Sequence, residues 1–427
     1  METEFPRRRV RAVVSVQGTG VLLGAVPTFA VEPPWWVEVE PVTRHLDALL
    51  GVPTVVLRMV RVVGGQSPRG GEVTYHVEAS EPPAAGAVAW EPVAPAEWAA
   101  ITRAEPLRAP YAEPGGPAAV VAWADRALAA LGRPRTGPAV QIKTWNLSCV
   151  FRLPTAAGPV WSKSTRDFEA AEPVAIGLAA EVDRDLAPKV LAALPADRLM
   201  LLDDIPGVDC WGADDARIRV AIEQLVAMQA ALAGTFDARP AGSLDGLLDR
   251  RLAGLPSGVE RALAGPAATD LAPAERDAVR RIIAELPSFT AAIAETGLPD
   301  TLVHGDFHPG NWRSDGRSHV FLDWSDSHLG NPASDILNLR GYLPAGRWRA
   351  GVAVWSAAWR EHRPESDPER AVALLAPLLN LQAAAHYQGF LDGIEPDEWP
   401  FHRADPTEQL RLAIAAFNDS PAEPLTA

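Results

Sequence analysis

The sequence predicts an α+β fold in which strand-rich segments precede a long helical region. Strand-like apolar patterns occur within residues 1–80, over 140–153 and over 160–162. From Arg217 onward, the apolar residues are spaced as on one face of a helix, and two short strands within 301–323 interrupt this pattern. A chain of 427 residues suggests two or three domains and an ample hydrophobic core.

Residues 1–80 are predicted to form a small α/β domain. Polar residues and glycines at 17–20 separate two apolar stretches, which is typical of a β-hairpin. Pro27 and these polar residues interrupt the uncharged run after the first arginines, so we favour the hairpin over a signal peptide. The other predicted elements are a helix over 35–50, ended by Gly51, and strands over 54–63 and 72–79.

Residues 81–135 are rich in proline and alanine and are predicted to be a linker with one or two helices, over 96–103 and 118–131. The strand patterns lie in a third segment, 136–207, and the helical pattern in a fourth, 208–427. The third segment is also predicted to contain a helix over 168–180 and a strand over 199–202.

The composition disfavours docking to nucleic acids or membranes. The formal net charge is −15 and the pI about 5.1, so the protein repels phosphate backbones and anionic lipid surfaces. No stretch offers the run of about 20 apolar residues that a membrane span requires. Two cysteines, Cys149 and Cys210, cannot build a disulfide framework, and the sequence predicts a cytoplasmic protein.

The residues most indicative of chemistry lie within 302–324. An apolar strand leads into a loop with Asp306, Asn311 follows five residues later, and a returning strand ends at Asp323. These three side chains are therefore expected to face one volume. Phosphoryl transfer from ATP needs a carboxylate that orients and deprotonates the attacking hydroxyl, and oxygen ligands that hold Mg²⁺. Asp306 suits the first task, and Asp323 with the amide oxygen of Asn311 suits the second.

The aminoglycoside phosphotransferase family, within the protein-kinase-like superfamily, has a catalytic loop that resembles His304-Gly305-Asp306-Phe307-His308-Pro309-Gly310-Asn311. Its metal-binding segment resembles Leu322-Asp323-Trp324-Ser325-Asp326 and the following residues to Asp335. The resemblance covers about residues 140–415. It implies a bilobal kinase-like fold, with a small β-rich N-lobe and hinge at 136–207 and a large helical C-lobe at 208–427, preceded by the small α/β domain.

The resemblance also implies how phosphates are bound. Lys163 stands where the family has its phosphate-binding lysine, and Glu172 matches the glutamate that pairs with that lysine. Glu169 and Glu181 compete with Glu172, but the spacing of Glu172 before the following apolar residues fits better. Because arginine is the usual cation of this sequence, a lysine at position 163 indicates more than surface charge.

Further nucleotide contacts are implied at the hinge and in a hairpin. The hinge would include Asp203 and Ile205, with backbone groups that take the adenine edge. Asn146 and Ser148 would make polar contacts in the hairpin that covers the phosphates. This hairpin lacks the glycines found in protein kinases, which leaves backbone contacts to the phosphates open.

The remaining implied residues are structural or bind the acceptor. His304 is expected to hydrogen-bond the loop backbone and Asp335 to brace the catalytic loop. Candidate acceptor contacts are His308, Trp324, Asp326, His386, Tyr387 and Asp392. Core packing is an equal alternative for Trp324, and an exposed helix end is the alternative for the last three. His308 could instead pack the loop, and Asp326 could face solvent or contact the metal.

The sequence thus predicts a kinase that uses ATP, or alternatively GTP, with Mg²⁺. The acceptor would be a hydroxyl of an aminoglycoside, an amino sugar or a similar metabolite, and the protein a monomer or homodimer. The main alternative is a catalytically weak pseudokinase that binds nucleotide as a regulatory module. A protein kinase is disfavoured because few residues separate Asp323 from Asp335. A metal hydrolase built on His304, Asp306 and His308 would need further ligand pairs that the sequence does not offer.

Overall fold

The computed structural model describes residues 7–240, 242–316 and 319–419. Its strands are β1 (Arg8–Val16), β2 (Leu22–Val31), β3 (Thr54–Val63), β4 (Gly71–Ala79), β5 (Val140–Thr144), β6 (Ser148–Thr155), β7 (Gly158–Thr165), β8 (Val190–Leu194), β9 (Leu199–Asp203), β10 (Val208–Asp209), β11 (Leu248–Asp249), β12 (Thr301–Val303), β13 (Trp312–Ser314), β14 (His319–Phe321) and β15 (His328–Gly330). Its α-helices are α1 (Glu40–Leu50), α2 (Pro95–Ile101), α3 (Gly116–Ala130), α4 (Glu172–Val182), α5 (Asp215–Leu232), α6 (Leu255–Ala264), α7 (Ala267–Asp270), α8 (Pro273–Ala294), α9 (Ala333–Asn338), α10 (Ala345–His362), α11 (Pro368–Gly393) and α12 (Asp405–Asp419).

The chain divides into two compact units. The first unit contains residues up to Arg166 together with Leu191–Asp204 and Leu391–Arg403. The second contains Asp167–Val190, Ile205–Phe390 and the segment from Ala404. Sheets dominate the first unit and helices the second, so the mixed α and β composition predicted from the sequence is present.

A four-stranded mixed sheet forms the first part of unit one, in the order β2-β1-β4-β3. The predicted hairpin is confirmed as the antiparallel pair β1 and β2, while β1 and β4 run parallel. Helix α1 begins at Glu40, five residues later than predicted, because the backbone before it is used elsewhere. Trp36 donates its backbone N–H to Pro68 at 3.0 Å, and Pro34 accepts from Gly70 at 2.9 Å. Gly51 ends the helix as predicted, with φ 72°.

A distant segment completes the core beside this sheet. Val10, Leu46 and Tyr75 are buried together with Phe401, which comes from the 391–403 segment of the same unit. Burial of these large side chains removes apolar surface from water, which is the main driving force for folding. The N-terminal strands therefore share one core with residues that lie more than 300 positions later in the chain.

The second sheet of unit one has five strands, in the order β5-β6-β7-β9-β8. The strand pattern predicted over 140–153 is in fact two antiparallel strands with a turn between them at residues 145–147. Helix α3 packs against this sheet through Val120, Ala124 and Leu128. The Gln141 amide group bonds both the backbone N–H and the carbonyl of Val56, each at 2.8 Å, which links the two sheets.

Unit one also buries a cluster of charged side chains. Arg58 and Arg108 both contact the Glu395 carboxylate, with shortest distances of 3.4 Å and 3.0 Å. Nearby Glu398 is also buried, and burial raises the pKa of its carboxyl to about 8 despite the arginines around it. A neutral carboxyl at this position avoids the cost of burying a second negative charge next to Glu395.

In the second unit, helices surround two small sheets that carry the candidate site. Their strand orders are β11-β15-β12 and β10-β13-β14. Helix α5 packs against α10, and α8 against α12. Helix α4 begins at Glu172, later than the predicted residue 168, because the preceding backbone bonds to neighbouring loops: Ala170 donates to Ser325 at 2.9 Å and Ala171 to Gly246 at 2.8 Å.

Within the described ranges, no helix has both the length and the hydrophobicity needed to cross a bilayer. Cys149 and Cys210 are both buried free thiols. Burial raises the pKa of the Cys149 thiol to about 11, so this thiol stays protonated and packs as a small apolar group.

Candidate active site

The candidate site lies in the second unit, where the loop after β12 meets the β13–β14 hairpin. Asn311 donates its side-chain amide to both the backbone oxygen and Oδ2 of Asp306, at 3.0 Å and 2.8 Å. The Leu322 N–H donates to the Asn311 carbonyl at 2.7 Å and extends the pairing of the two strands. Asp323 is the next residue, so the loop residues Asp306 and Asn311 and the strand-end carboxylate lie in one neighbourhood.

His304 fixes the relative position of these two strand ends. Its Nδ1 accepts from the backbone N–H of Asp306 at 3.3 Å, and its Nε2 donates to the carbonyl of Leu322 at 3.0 Å. Burial lowers the pKa of His304 to about 4, although the nearby carboxylates of Asp306 and Asp323 favour the charged form. The ring is therefore neutral at pH 7, and both of its nitrogens are already used. This geometry disfavours a metal hydrolase in which His304 is a ligand.

Asp335 holds the backbone at the start of the same loop. Its two carboxylate oxygens accept from the backbone N–H groups of His304 and Gly305, each at 2.9 Å, and Oδ2 also accepts from Gln229 at 2.8 Å. Burial raises the pKa of Asp335 to about 7, against the opposing effect of these backbone donors. These contacts restrain the backbone at the start of the loop.

Two unusual backbone conformations shape the site. Gly305 has φ +87°, and a Cβ at this position would collide with the carbonyl oxygen of Asp326. Asp323 has φ 60° and ψ 70°, a left-handed conformation that non-glycine residues rarely adopt. Its Oδ1 accepts from Ser325 Oγ at 2.9 Å. Such strained residues persist when surrounding contacts hold them, and they concentrate at functional sites.

The oxygen atoms of this site suit a hard divalent cation. The Asn311 side-chain nitrogen donates to Asp306, so the Asn311 amide oxygen is the atom that can bind a cation. The Asp323 side chain is exposed and provides carboxylate oxygens one residue beyond the strand pairing. Mg²⁺ takes few protein ligands and prefers oxygen, so the pair fits that ion. Among the described residues, no group of three or more His, Cys, Asp or Glu side chains is arranged to hold a metal.

Aromatic rings flank the Asp306 carboxylate. His308 lies 3.3 Å from Asp306 Oδ2 through its Nε2, and its ring stacks against both Tyr342 and Trp211, with centroid distances of 4.2 Å and 5.2 Å. Trp211 is 55% exposed and Tyr342 41% exposed, so the stack presents an apolar surface to solvent. A Cβ at Gly310 would collide with the Trp211 ring, so a larger residue there would displace that ring.

A series of polar contacts connects Arg250, His386 and Asp326. Arg250 donates from Nη2 to His386 Nδ1 at 2.7 Å, and His386 Nε2 lies 2.7 Å from Asp326 Oδ1. Burial alone would raise the pKa of Asp326, but His386 and Arg250 hold it below its ordinary value. Asp326 and His386, predicted separately as acceptor contacts, are thus in direct contact, and Asp326 is an ionised carboxylate.

The comparison with known sequences identifies the family. A sequence model of the phosphotransferase enzyme family matches residues 133–371, more than half of the chain. The chain belongs to this phosphotransferase family. The family predicted from the catalytic loop is therefore confirmed. No curated protein sequence matches the chain.

Solved structures of related kinases resemble this phosphotransferase. A protein assigned as a fructosamine-3-kinase from Thermobifida fusca is 20% identical, with a TM-score of 0.50, over 69% of this chain and 97% of the other. A choline/ethanolamine kinase family protein from Mesorhizobium loti is 19% identical (TM-score 0.49, 71% and 96% covered), and a macrolide 2′-phosphotransferase from Brachybacterium faecium is 17% identical (TM-score 0.44, 70% and 99% covered). At such identities, the first likeness shows a shared fold, in agreement with the predicted kinase-like class.

One predicted acceptor contact, Trp324, does not lie on the surface of the candidate site. Trp324 is fully buried; its ring donates from Nε1 to the Phe321 carbonyl at 2.8 Å and packs 4.6 Å from the His304 ring. It is a core residue of the phosphotransferase, as the alternative interpretation held. Asp392 is exposed and belongs to the first unit, so its contact with an acceptor stays a prediction.

The predicted nucleotide residues are distributed over both units of the phosphotransferase. In the first, Lys163 is buried on β7 between Val150 of β6 and Met200 of β9. Glu172, at the start of α4, belongs to the second unit, so its pairing with Lys163 stays a prediction. The chain passes from the first unit to the second between Asp204 and Ile205, within the predicted hinge.

The hairpin and hinge side chains make local contacts in unit one. Asn146 is fully buried and its amide atoms bond to no described residue, so its contact with a phosphate stays a prediction. Ser148 Oγ accepts from Trp145 Nε1 at 3.0 Å. Asp203 accepts two hydrogen bonds from Arg133, both at 3.0 Å.

Sequence reasoning missed several residues that contact side chains of the candidate site. Trp211, Tyr342 and Arg250 lie far from the catalytic loop in sequence, and their types are common in cores and on surfaces. Asn338 was also missed; its side-chain nitrogen lies 3.5 Å from Asp306 Oδ1. Nothing in their local sequence distinguishes these residues from ordinary helix or loop positions.

Proposed function

We propose that this phosphotransferase is an ATP-dependent kinase, with GTP as the alternative donor, that transfers the γ-phosphate to a hydroxyl of a small molecule. The observation that carries the proposal is the contact between Asn311 and the Asp306 carboxylate, with Asp323 directly beyond the same strand pair. The match to the phosphotransferase family supports this chemistry.

Asp306 would orient the acceptor hydroxyl and take its proton. The side chain is 31% exposed, so a hydroxyl can reach it, and Asn311 restrains its Oδ2. Neutral His304 and the carboxylate of Asp335 hold the loop backbone and reduce the freedom of Asp306 before the acceptor arrives. Positioning of this kind accounts for much of the rate enhancement in phosphoryl transfer.

Asn311 Oδ1 and the Asp323 carboxylate would hold Mg²⁺. When bound, this ion neutralises charge on the β- and γ-phosphates. In the first unit, Lys163 would contact the α- and β-phosphates, with Glu172 as its partner. These assignments follow the residue-by-residue resemblance to the family and agree with the oxygen donors described above.

Aminoglycosides and amino sugars are the first acceptor classes that the family resemblance suggests. Other alcohols remain in scope, because one kinase-like scaffold serves many acceptors. The exposed ring stack of His308, Tyr342 and Trp211 borders Asp306 and would contact part of the acceptor.

A catalytically weak nucleotide-binding module is the second candidate function. It is favoured by the hairpin at 145–148, which lacks glycine and buries Asn146. The retained Asp306, Asn311 and Asp323 favour the kinase instead. A module of this kind would bind Mg-ATP without turning over any acceptor.

A coupled ADP-release screen tests the proposal. The purified full chain would be assayed with Mg-ATP and with Mg-GTP against aminoglycosides, amino sugars, neutral sugars, amino alcohols and hydroxy acids, with Asp306→Asn as the blank. We expect at least one class to stimulate ADP release well above this blank. Nucleotide binding without acceptor-dependent release in any class would support the regulatory module.

A further inference from the structure

A cavity of about 240 Å³ opens in the second unit next to the Arg250–His386 contact. It lies between the chain that leads into α6 and the C-terminal half of α11. Phe168, Leu248, Leu255 and Phe390 supply apolar walls. Its charged lining residues are Asp249, Arg250, Arg251 and Arg261, with His386 at the inner end.

The side chains that line the cavity carry a net positive charge, because three arginines face one aspartate. Arg251 is neutralised locally, because Asp249 accepts from its Nε and Nη2, the latter at 2.6 Å. Arg250 lies 3.7 Å from Asp326 Oδ1 and bonds His386. Arg261 projects from α6 and forms no ion pair with any described residue. Its guanidinium is therefore the charge in this lining that is left for a ligand.

Anionic groups are the natural partners of such a lining. A guanidinium presents a planar fork of N–H donors that matches a carboxylate or a phosphate, and bonds between charged groups are stronger than neutral ones. The Arg250 side chain is only 21% exposed, and this partial burial lowers its pKa. In a chain of net charge −15, three arginines around one small cavity form a local exception. A polycationic acceptor would meet repulsion there.

The cavity adjoins the Asp306 neighbourhood through two contacts. His386 at its inner end lies 2.7 Å from Asp326 Oδ1, and the Asp326 carbonyl lies against Gly305, the residue before Asp306. Tyr387 is close enough to Asp326 and Asp306 to be affected by their charges. Burial raises the pKa of its hydroxyl, and the charges of Asp405, Asp326 and Asp306 add to that effect. A ligand in the cavity would therefore be separated from the proposed catalytic base, Asp306, by the contacts of His386, Asp326 and Gly305.

We propose that this cavity binds an acidic group, a carboxylate or a phosphate monoester, carried by the acceptor. The proposal rests on the kinase function proposed above. Among the possible acceptors of that kinase, it favours a hydroxylated acid over a cationic aminoglycoside. Arg261 binds the acidic group, while the phenylalanine and leucine side chains pack against the carbon skeleton.

Calorimetric titration without nucleotide tests this proposal independently of any turnover. Four ligands with one pyranose ring differ mainly in charge: glucuronate, glucose 6-phosphate, glucose and glucosamine. We expect one or both acids to bind more tightly than glucose, and glucosamine to bind most weakly. The two acids separate the carboxylate source of the negative charge from the phosphate source.

Substitution of Arg261 tests the location of the site. We expect Arg261→Gln to weaken binding of the preferred acid about tenfold, the effect of losing one charge-assisted bond. Arg261→Lys, which keeps the charge without the fork, should restore part of the affinity. Arg219→Gln is the matched control, since Arg219 is an exposed arginine of α5 whose partner is Glu223 at 3.8 Å. Because Arg261 is also exposed, its loss should leave the melting temperature unchanged.

Three outcomes would overturn the acidic-ligand proposal: equal affinity for all four rings, no measurable binding of either acid, or acid binding that Arg261→Gln leaves intact. Retained, Arg261-dependent acid binding together with a failed ADP-release screen would instead reject the kinase function alone. We chose Arg261 over Arg251 because Arg251 also lines a second, neighbouring cavity.

Discussion

Glu172 Oε2 accepts a hydrogen bond from the backbone N–H of Trp324 at 3.2 Å, across 152 residues of chain. The bond ties the first turn of α4 to the residue directly after Asp323. Glu172 is 2% exposed, so the carboxylate meets this N–H away from bulk water. A residue predicted to position a lysine therefore also positions the turn that carries Asp323.

Replacement of Glu172 by alanine should destabilise the second unit. The variant leaves the buried Trp324 N–H without its acceptor, and an unsatisfied buried group of this kind costs about 1–3 kcal/mol in the free energy of unfolding. Urea denaturation followed by circular dichroism would measure the loss. Glu181→Ala, at the exposed end of the same helix, should cost less, because its bond to Arg239 is a surface ion pair. An equal loss in the free energy of unfolding for the two variants would contradict this interpretation of the Glu172–Trp324 hydrogen bond.

Asp306→Asn should abolish phosphoryl transfer without unfolding the protein. An amide cannot take the proton of the acceptor hydroxyl, and loss of a general base typically lowers turnover about 100- to 10,000-fold. Acceptor-dependent ADP release would measure turnover, and equilibrium dialysis with Mg-ATP would measure nucleotide affinity. The control is Asp277→Asn on the exposed face of α8, which makes the same chemical change away from the site. Turnover within a few-fold of the unmodified protein would remove Asp306 from the mechanism.

Asp323→Asn should weaken the response to magnesium. The substitution removes a negatively charged oxygen ligand, so the Mg²⁺ concentration for half-maximal activity should rise, and activity at saturating Mg-ATP should fall by about 100-fold or more. A magnesium titration of ADP release would test both effects. An unchanged midpoint, with Asp277→Asn as the reference, would show that Asp323 does not hold the ion.

Glu398 should make the stability of the first unit depend on pH. The pKa of this buried carboxyl is about 8 in the folded protein against an ordinary value of 4.5, so the folded state keeps a proton that the unfolded state loses. The resulting stabilisation is complete below about pH 4.5 and is lost as the pH rises from there through 8. Melting temperatures between pH 5 and 9 would record the decline.

Glu398→Gln should flatten that decline, because a neutral amide resembles the protonated carboxyl at every pH. The variant should therefore be more stable than the unmodified protein above pH 8. Glu81→Gln provides the control, as Glu81 is an exposed glutamate of the same unit. If Glu398→Gln kept the original pH dependence, another group would have to be responsible.

Sequence reasoning reached the centre of the site because its parts are close along the chain. Asp306, Asn311 and Asp323 belong to one strand–loop–hairpin, in which local pairing brings the side chains together. Trp211 and Tyr342 reach the same place from other elements, and tertiary packing alone brings them there. Burial of Trp324 was equally invisible, since a tryptophan after a metal-binding aspartate can face either way.

The first residues of two helices were predicted less accurately, because the backbone before each helix forms hydrogen bonds with other parts of the chain. The helix expected at 35–50 starts at Glu40 because residues 34–36 pair with 68–70, and α4 starts at Glu172 because Ala170 and Ala171 bond to distant loops. Strand β3, by contrast, has the predicted bounds of 54–63, since its apolar pattern and its pairing end together.

The position of Phe401 in the core beside β1 and β4 has a consequence for biosynthesis. Strands β1 and β4 wait for a side chain translated more than 300 residues later before their shared core is complete. Until then, the part of the core that Phe401 fills stays open. Fragments that end before residue 391 would thus be expected to unfold more easily than the full chain, and the 391–403 peptide supplied in trans should restore part of the lost stability.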